Sequence, residues 1–128
     1  MSDPRYLHVP RLRGWFIVCL VLFLLGSFVP LAWKVEWGLH GAQHFRVHVA
    51  AFSLLGMLAF LNVNSWHKRL AAMLALVGMA VVIEIFQTVF FGNALEWSDV
   101  EADGYGMLIA FLLAEVLRRA GGRWRARS

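Results

Sequence analysis

The most constraining feature of the chain is an apolar run from Trp15 to Trp33, WFIVCLVLFLLGSFVPLAW, which contains no charged side chain. A helix rises 1.5 Å per residue, so a run of this length covers roughly the ~30 Å of hydrocarbon in a bilayer. Three further apolar runs follow, and together they make 60% of the 128 residues hydrophobic against 16% charged. A domain this small leaves much of its surface exposed and cannot hide so much apolar area from water. Lipid is the expected solvent. The first run is too long for the core of a cleavable signal and ends without a small-residue cleavage pattern, so it reads as a retained anchor.

The flanks of the runs set the order of elements. Residues 1–13 are polar, with Pro4 and Pro10 opposing a regular helix. Spans are expected at about 15–33, 45–63, 70–91 and 103–117, joined by a Gly- and His-containing loop, a basic turn at His67–Arg69 and an acidic loop at Asn93–Glu101. The predicted fold is an all-α, four-helix transmembrane bundle forming one domain over 1–128. Placing the leader, the basic turn and the tail on one side gathers three, two and five Lys and Arg there, ten of the twelve, with Lys34 and Arg46 opposite. The positive-inside bias then puts both termini in the cytoplasm, as for a multi-pass protein of a bacterial inner membrane. All six tryptophans, Trp15, Trp33, Trp37, Trp66, Trp97 and Trp124, fall at or just beyond a span end, where indoles meet both lipid and water.

The same distribution argues against a nucleic-acid partner. The net charge of +4 comes from basic residues at run ends rather than from one folded reading face. Cys19 is the single cysteine, inside the first run, which excludes an intramolecular disulfide or a CxxC metal pair and leaves it as a small apolar filler.

Within this frame a few polar side chains stand out. With the termini inside, the third span runs outward, so Glu84 lies in its outer half and Gln87 nearer the outer surface. The second and fourth spans begin outside, bringing His44, His48, Asp99 and Asp103 to the same level. An ionised side chain at the bilayer centre costs about 2.5–3.5 kcal/mol on insertion scales, so Glu84 is expected to be paired, protonated or facing water. Gln87, three residues on, shares its helix face. At 100° per residue Asp99, Asp103, Gly106, Ala110 and Ala114 fall on one narrow stripe. Gly106, Ala110 and Ala114 form a small-residue packing seam that lets backbones approach in lipid and delivers the two acids to the bundle interior. The candidate pocket is therefore Glu84, Gln87, Asp99, Asp103 and His48.

This order of residues, Glu84-x-x-Gln87, then Asp99, Asp103 and Gly106, resembles the VanZ-like family of small bacterial membrane proteins. His48 and Phe52 in HVAAF, followed by Leu55 and Gly56, look like the His-containing second span of that family, and the resemblance covers roughly residues 30–118. It implies a cell-envelope role related to glycopeptide antibiotic resistance, without a defined reaction. Asn93 stands where the family commonly has Arg, Asp103 where it commonly has Asn, and His44 replaces an acid usual ahead of the His. Relative to that pattern the site has lost a fixed positive charge and gained a negative one.

Three functions stay open at this level. The pocket engages a lipid-linked or glycopeptide-related envelope ligand; or its acids and histidines serve a membrane-embedded hydrolase or transferase acting on a lipid; or the seam joins a membrane-protein partner. For Glu84 and Gln87 the plain alternative is an interhelical hydrogen-bonded pair. A metal on His44, His48 and Asp99 is chemically open, but H-x-x-x-H here lacks the Glu of H-E-x-x-H, and no metal or other cofactor is expected. Glu96 and Glu101 read as a solvated acidic loop, and Glu115 as a local ion pair with Arg118 and Arg119. The arginine tail suits anionic lipid or a topology anchor.

Overall fold

The computed structural model describes residues 10–63 and 65–125, which form five helices and, among the described residues, no strand. They are α1 (Pro10–Ser27), α2 (Leu31–Glu36), α3 (Ala42–Leu61), α4 (Trp66–Phe91) and α5 (Trp97–Arg125). The leader residues Pro4, Arg5 and His8, the exit residue Asn64, Arg127 and the side chains of Arg11, Arg123, Trp124 and Arg125 lie outside the described residues.

Every predicted span contains a helix, but the boundaries differ for local reasons. Pro10 begins α1 instead of opposing it, because a first-turn residue needs no N–H partner. The first run does not continue to Trp33: α1 stops at Ser27, and α2 starts at Leu31 with Pro30 as its N-cap. Pro30 has no N–H to extend α1 and disfavours helical geometry at Val29. Gly41, at φ +56°, turns the chain into α3 three residues before the expected Phe45. Ser65 caps α4 by accepting from the Lys68 N–H at 3.3 Å, so that helix starts at Trp66, and Gly92 in the left-handed region ends it. The largest shift is in α5. It begins at Trp97 rather than near Asp103, with Asp99 in its first turn where a carboxylate complements the helix dipole. The acidic loop shortens to Gly92–Glu96.

Packing centres on α3 and α5, with α1 against α3 and α4 against both. The small-residue stripe is the reason. A Cβ placed on Gly106 would stand 2.6 Å from the Val49 carbonyl oxygen, and one on Gly56 would stand 2.8 Å from the Ala110 Cβ. Phe52, Phe60, Met107, Ala110 and Ala114 are almost wholly buried around this contact. The outward faces are also apolar: Leu25, Leu74, Val82, Val89, Phe90 and Val116 are all more than half exposed. Helices α3 and α4 are each long and apolar enough to cross a membrane, whereas the apolar part of α1, Leu12–Ser27, is shorter.

The far end of the α3–α5 pair is closed by arginines. Arg118 donates from Nη2 to the carbonyls of Phe60 (2.6 Å), in the last turn of α3, and Val63, just beyond it. Arg69, buried at the start of α4, donates to Glu115 at 3.1 Å, and Arg119 reaches the other Glu115 oxygen at 3.0 Å. The expected Glu115–Arg118 pair is thus replaced by Arg69. Arg118 sits one turn along α5 from Glu115, where the α3 terminus offers carbonyl oxygens closer at hand.

Candidate functional site

At the opposite end, α3, α4 and α5 bring together the polar residues singled out in the sequence. Asp99 and Asp103, one turn apart on α5, face His44 and His48, one turn apart on α3. His44 Nε2 lies 2.8 Å from Asp99 Oδ2, and His48 Nδ1 lies 2.8 Å from Asp103 Oδ1. His48 Nε2 also lies 3.7 Å from Asp99 Oδ2, beyond hydrogen-bonding distance. The carboxylates are deep, Asp99 4% and Asp103 2% exposed, while the histidines keep a partly open edge. The two imidazoles lie 4.5 Å apart between ring centres, and the Phe23 ring from α1 meets His48 edge-on at 6.1 Å. The seam thus supplies register: Gly106 lets α5 approach Val49 and Phe52 closely enough for Asp103 to reach His48.

Glu84 and Gln87 reach this end from α4 but do not meet at one point. Glu84 is 5% exposed and its Oε2 accepts the backbone N–H of Glu96 at 3.4 Å. Gln87 instead donates to the Ser27 carbonyl at 2.7 Å, closing the end of α1. Both nevertheless line one cavity of about 80 Å³, together with Lys34, His44, Asn93 and Asp99. Against it lies a larger cavity of about 360 Å³ between α1 and α3, walled mainly by Cys19, Leu22, Phe23, Ala51, Leu54 and Leu55. Lys34, Leu39, His44 and Gln87 border both spaces. A polar chamber and an apolar trough therefore share a boundary.

Four residues of this site carry no strong signal in the sequence. Lys34, Leu39, His40 and Glu96 wall the polar chamber because α1 breaks after Ser27, so that α2 and the loop after it border the same space as His44, Glu84 and Gln87. Pro30 is the one visible trace of that break. His67, by contrast, lies on α4 far from the site, its ring tilted at 44° to that of Trp66 with centres 4.6 Å apart. Asp99 is not a loop acid, as the sequence suggests, but a first-turn residue of α5, which fixes its direction.

No family model, curated protein or solved structure matches the chain. The chemistry of the site rests on its own geometry: buried acids matched to imidazoles beside a chamber with both polar and apolar walls.

Proposed function

We propose that the chain is a four-span protein of a bacterial inner membrane, of VanZ-like type, whose outward-facing pocket binds the polar head of a lipid-linked cell-envelope ligand. In this arrangement α1, α3, α4 and α5 cross the bilayer with both termini cytoplasmic, and α2 lies over the outer end. The apolar outward faces of the helices and the clustering of Arg69, Arg118 and Arg119 at one end support that placement. The observation that carries the ligand is the shared boundary between the 80 Å³ polar chamber and the 360 Å³ apolar trough. An amphiphile needs both, a dry slot for its chain and hydrogen-bonding groups for its head. A free peptide would have no use for the trough.

Two substitutions test this reading from its two sides. Glu84→Ala alters the polar chamber, and Ala51→Trp fills the trough. Native mass spectrometry of protein extracted from bacterial membranes is expected to show a bound amphiphile in the wild type, depleted in both variants. An envelope phenotype of the deleted strain is expected to be rescued by the wild type and by neither variant at equal protein level. Full rescue by both, with amphiphile unchanged, would sink the proposal.

A further inference from the structure

We infer that His44, His48 and Asp99 form a site for one divalent transition-metal ion of the Zn²⁺ class, with Asp103 orienting His48 from behind. The sequence leaves a metal on these three residues open without placing them together, since H-x-x-x-H by itself offers two donors. The fold adds the third, and one ligand atom from each of the three residues lies within 4.8 Å of the other two. Ligands of a tetrahedral ion at about 2.0–2.1 Å stand about 3.3 Å from one another. The separations are 2.8 Å for His44–Asp99, a hydrogen bond whose Nε2 proton the ion would displace into solvent, and 3.7 Å for His48–Asp99, and they bracket that value.

The second observation is the state of His48. An ionised carboxylate only accepts, so the 2.8 Å contact with Asp103 places the ring proton on Nδ1. In a neutral ring Nε2 is then a lone pair, and it faces Asp99 Oδ2, another electron-rich atom, at 3.7 Å. A cation between Nε2 and Asp99 Oδ2 satisfies both atoms, either a metal ion or the second proton of the ring itself, and Zn²⁺ titration separates the two. Asp103, His48 and the shared point thus form the carboxylate–histidine–metal chain by which metalloproteins fix the tautomer and raise the basicity of a ligand. Three protein ligands leave a fourth position, and His44 and Asp99 border the chamber that also holds Glu84 and Gln87. Its occupant would be an oxygen of water or of an anionic head group. That last role rests on the pocket reading above, whereas the metal site rests only on the side chains. The ion also bears on charge: around the chamber Glu84, Glu96 and Asp99 outnumber the one ammonium, Lys34, and a dication would offset that excess toward an anionic ligand.

The test is Zn²⁺ titration by calorimetry of the full chain in detergent after chelation, with no lipid added. One equivalent is expected to bind, and Mg²⁺, which prefers all-oxygen cages, is not expected to compete. His44→Ala and His48→Ala should each weaken binding at least tenfold, Asp103→Asn by about 10–100-fold, and His67→Ala, far from the chamber, should leave it unchanged. Should the alanine variants fail to fold, Co²⁺ substituted into the wild type should give the visible absorption of a nitrogen-ligated site. Absence of a stoichiometric Zn²⁺ ion, or equal binding by His48→Ala, overturns the inference. Retention of the co-purified amphiphile by metal-free protein would leave the pocket reading standing while removing the metal from it.

Discussion

The α3–α5 pair carries a polar cluster at each end, and the two differ in what their groups are aimed at. At the arginine end, donors outnumber acceptors and go to backbone carbonyls and one shared carboxylate: Arg118 to Phe60 and Val63, Arg69 and Arg119 to Glu115. At the histidine end, acceptors gather: three buried carboxylates, Glu84, Asp99 and Asp103, with two imidazoles between them and a cavity alongside. The first arrangement completes helix termini, which need hydrogen-bond partners wherever they are buried. In the second only Glu84 serves the backbone, accepting the Glu96 N–H, while the aspartates and histidines meet one another. Similar numbers of polar groups are therefore arranged differently, and the direction of the donors separates a structural clasp from a candidate site.

Both ends depend on the close approach between them, so the largest expected effect comes from Gly106→Val. The new Cβ would meet backbone at the Val49 oxygen and the Ser53 nitrogen, neither of which yields as a flexible side chain does. Overpacking of this kind costs about 1–3 kcal/mol or more, and thermal unfolding in detergent should show it together with loss of the pocket. Gly104, two residues away with open space at its Cβ position, gives the control: Gly104→Ala should be neutral or stabilising by up to about 1 kcal/mol through helix propensity. Equal stability of the two variants would mean that the seam does not hold the ends together.

The next two variants set one end directly against the other. Arg118→Met removes charge-assisted bonds to the α3 terminus and should lower stability by about 1.5–3 kcal/mol, with ligand occupancy unchanged. Asp99→Asn keeps the shape of its side chain but relieves a crowd of buried carboxylates. It should raise the stability of the ligand-free protein by about 0.5–2 kcal/mol while abolishing binding, the trade expected where function holds a site away from its stability optimum. Chemical unfolding of both variants checks the pair. A fall in stability for Asp99→Asn matching that of Arg118→Met would erase the distinction between clasp and site.

How far this was legible in the sequence depends on which physical signal each residue carries. The helices were legible because long apolar runs admit few alternatives, and the faces of α5 because a 3.6-residue period fixes Asp99, Asp103, Gly106, Ala110 and Ala114 relative to one another. The pairings were not. Nothing in the spacing of His44 and His48 states that each meets a different aspartate, since that follows from the α3–α5 register set by Gly56 and Gly106. Gln87 looked like the companion of Glu84, but the break at Pro30 leaves the Ser27 carbonyl open and Gln87 is spent on it. Arg69 read as a turn residue because its burial comes from α5, which lies 46 residues away at Glu115. Local pattern thus gives elements and faces, while contacts between distant segments decide which polar group meets which.

The smallest expected effect sharpens the contrast within the arginine end itself. Arg69 is buried, yet its Nε has no hydrogen-bond partner, so part of its desolvation is not returned. Its acceptor, Glu115, is partly exposed and keeps Arg119 when Arg69 is removed. Methionine preserves the apolar stem of the side chain and its packing between α4 and α5. Arg69→Met should therefore change stability by less than about 1 kcal/mol, well short of Arg118→Met, although Arg69 is the more buried of the two. Thermal unfolding of the two single variants side by side decides it. A loss for Arg69→Met as large as that for Arg118→Met would show that the clasp acts through its ion pair, and that satisfying the last carbonyls of α3 is secondary.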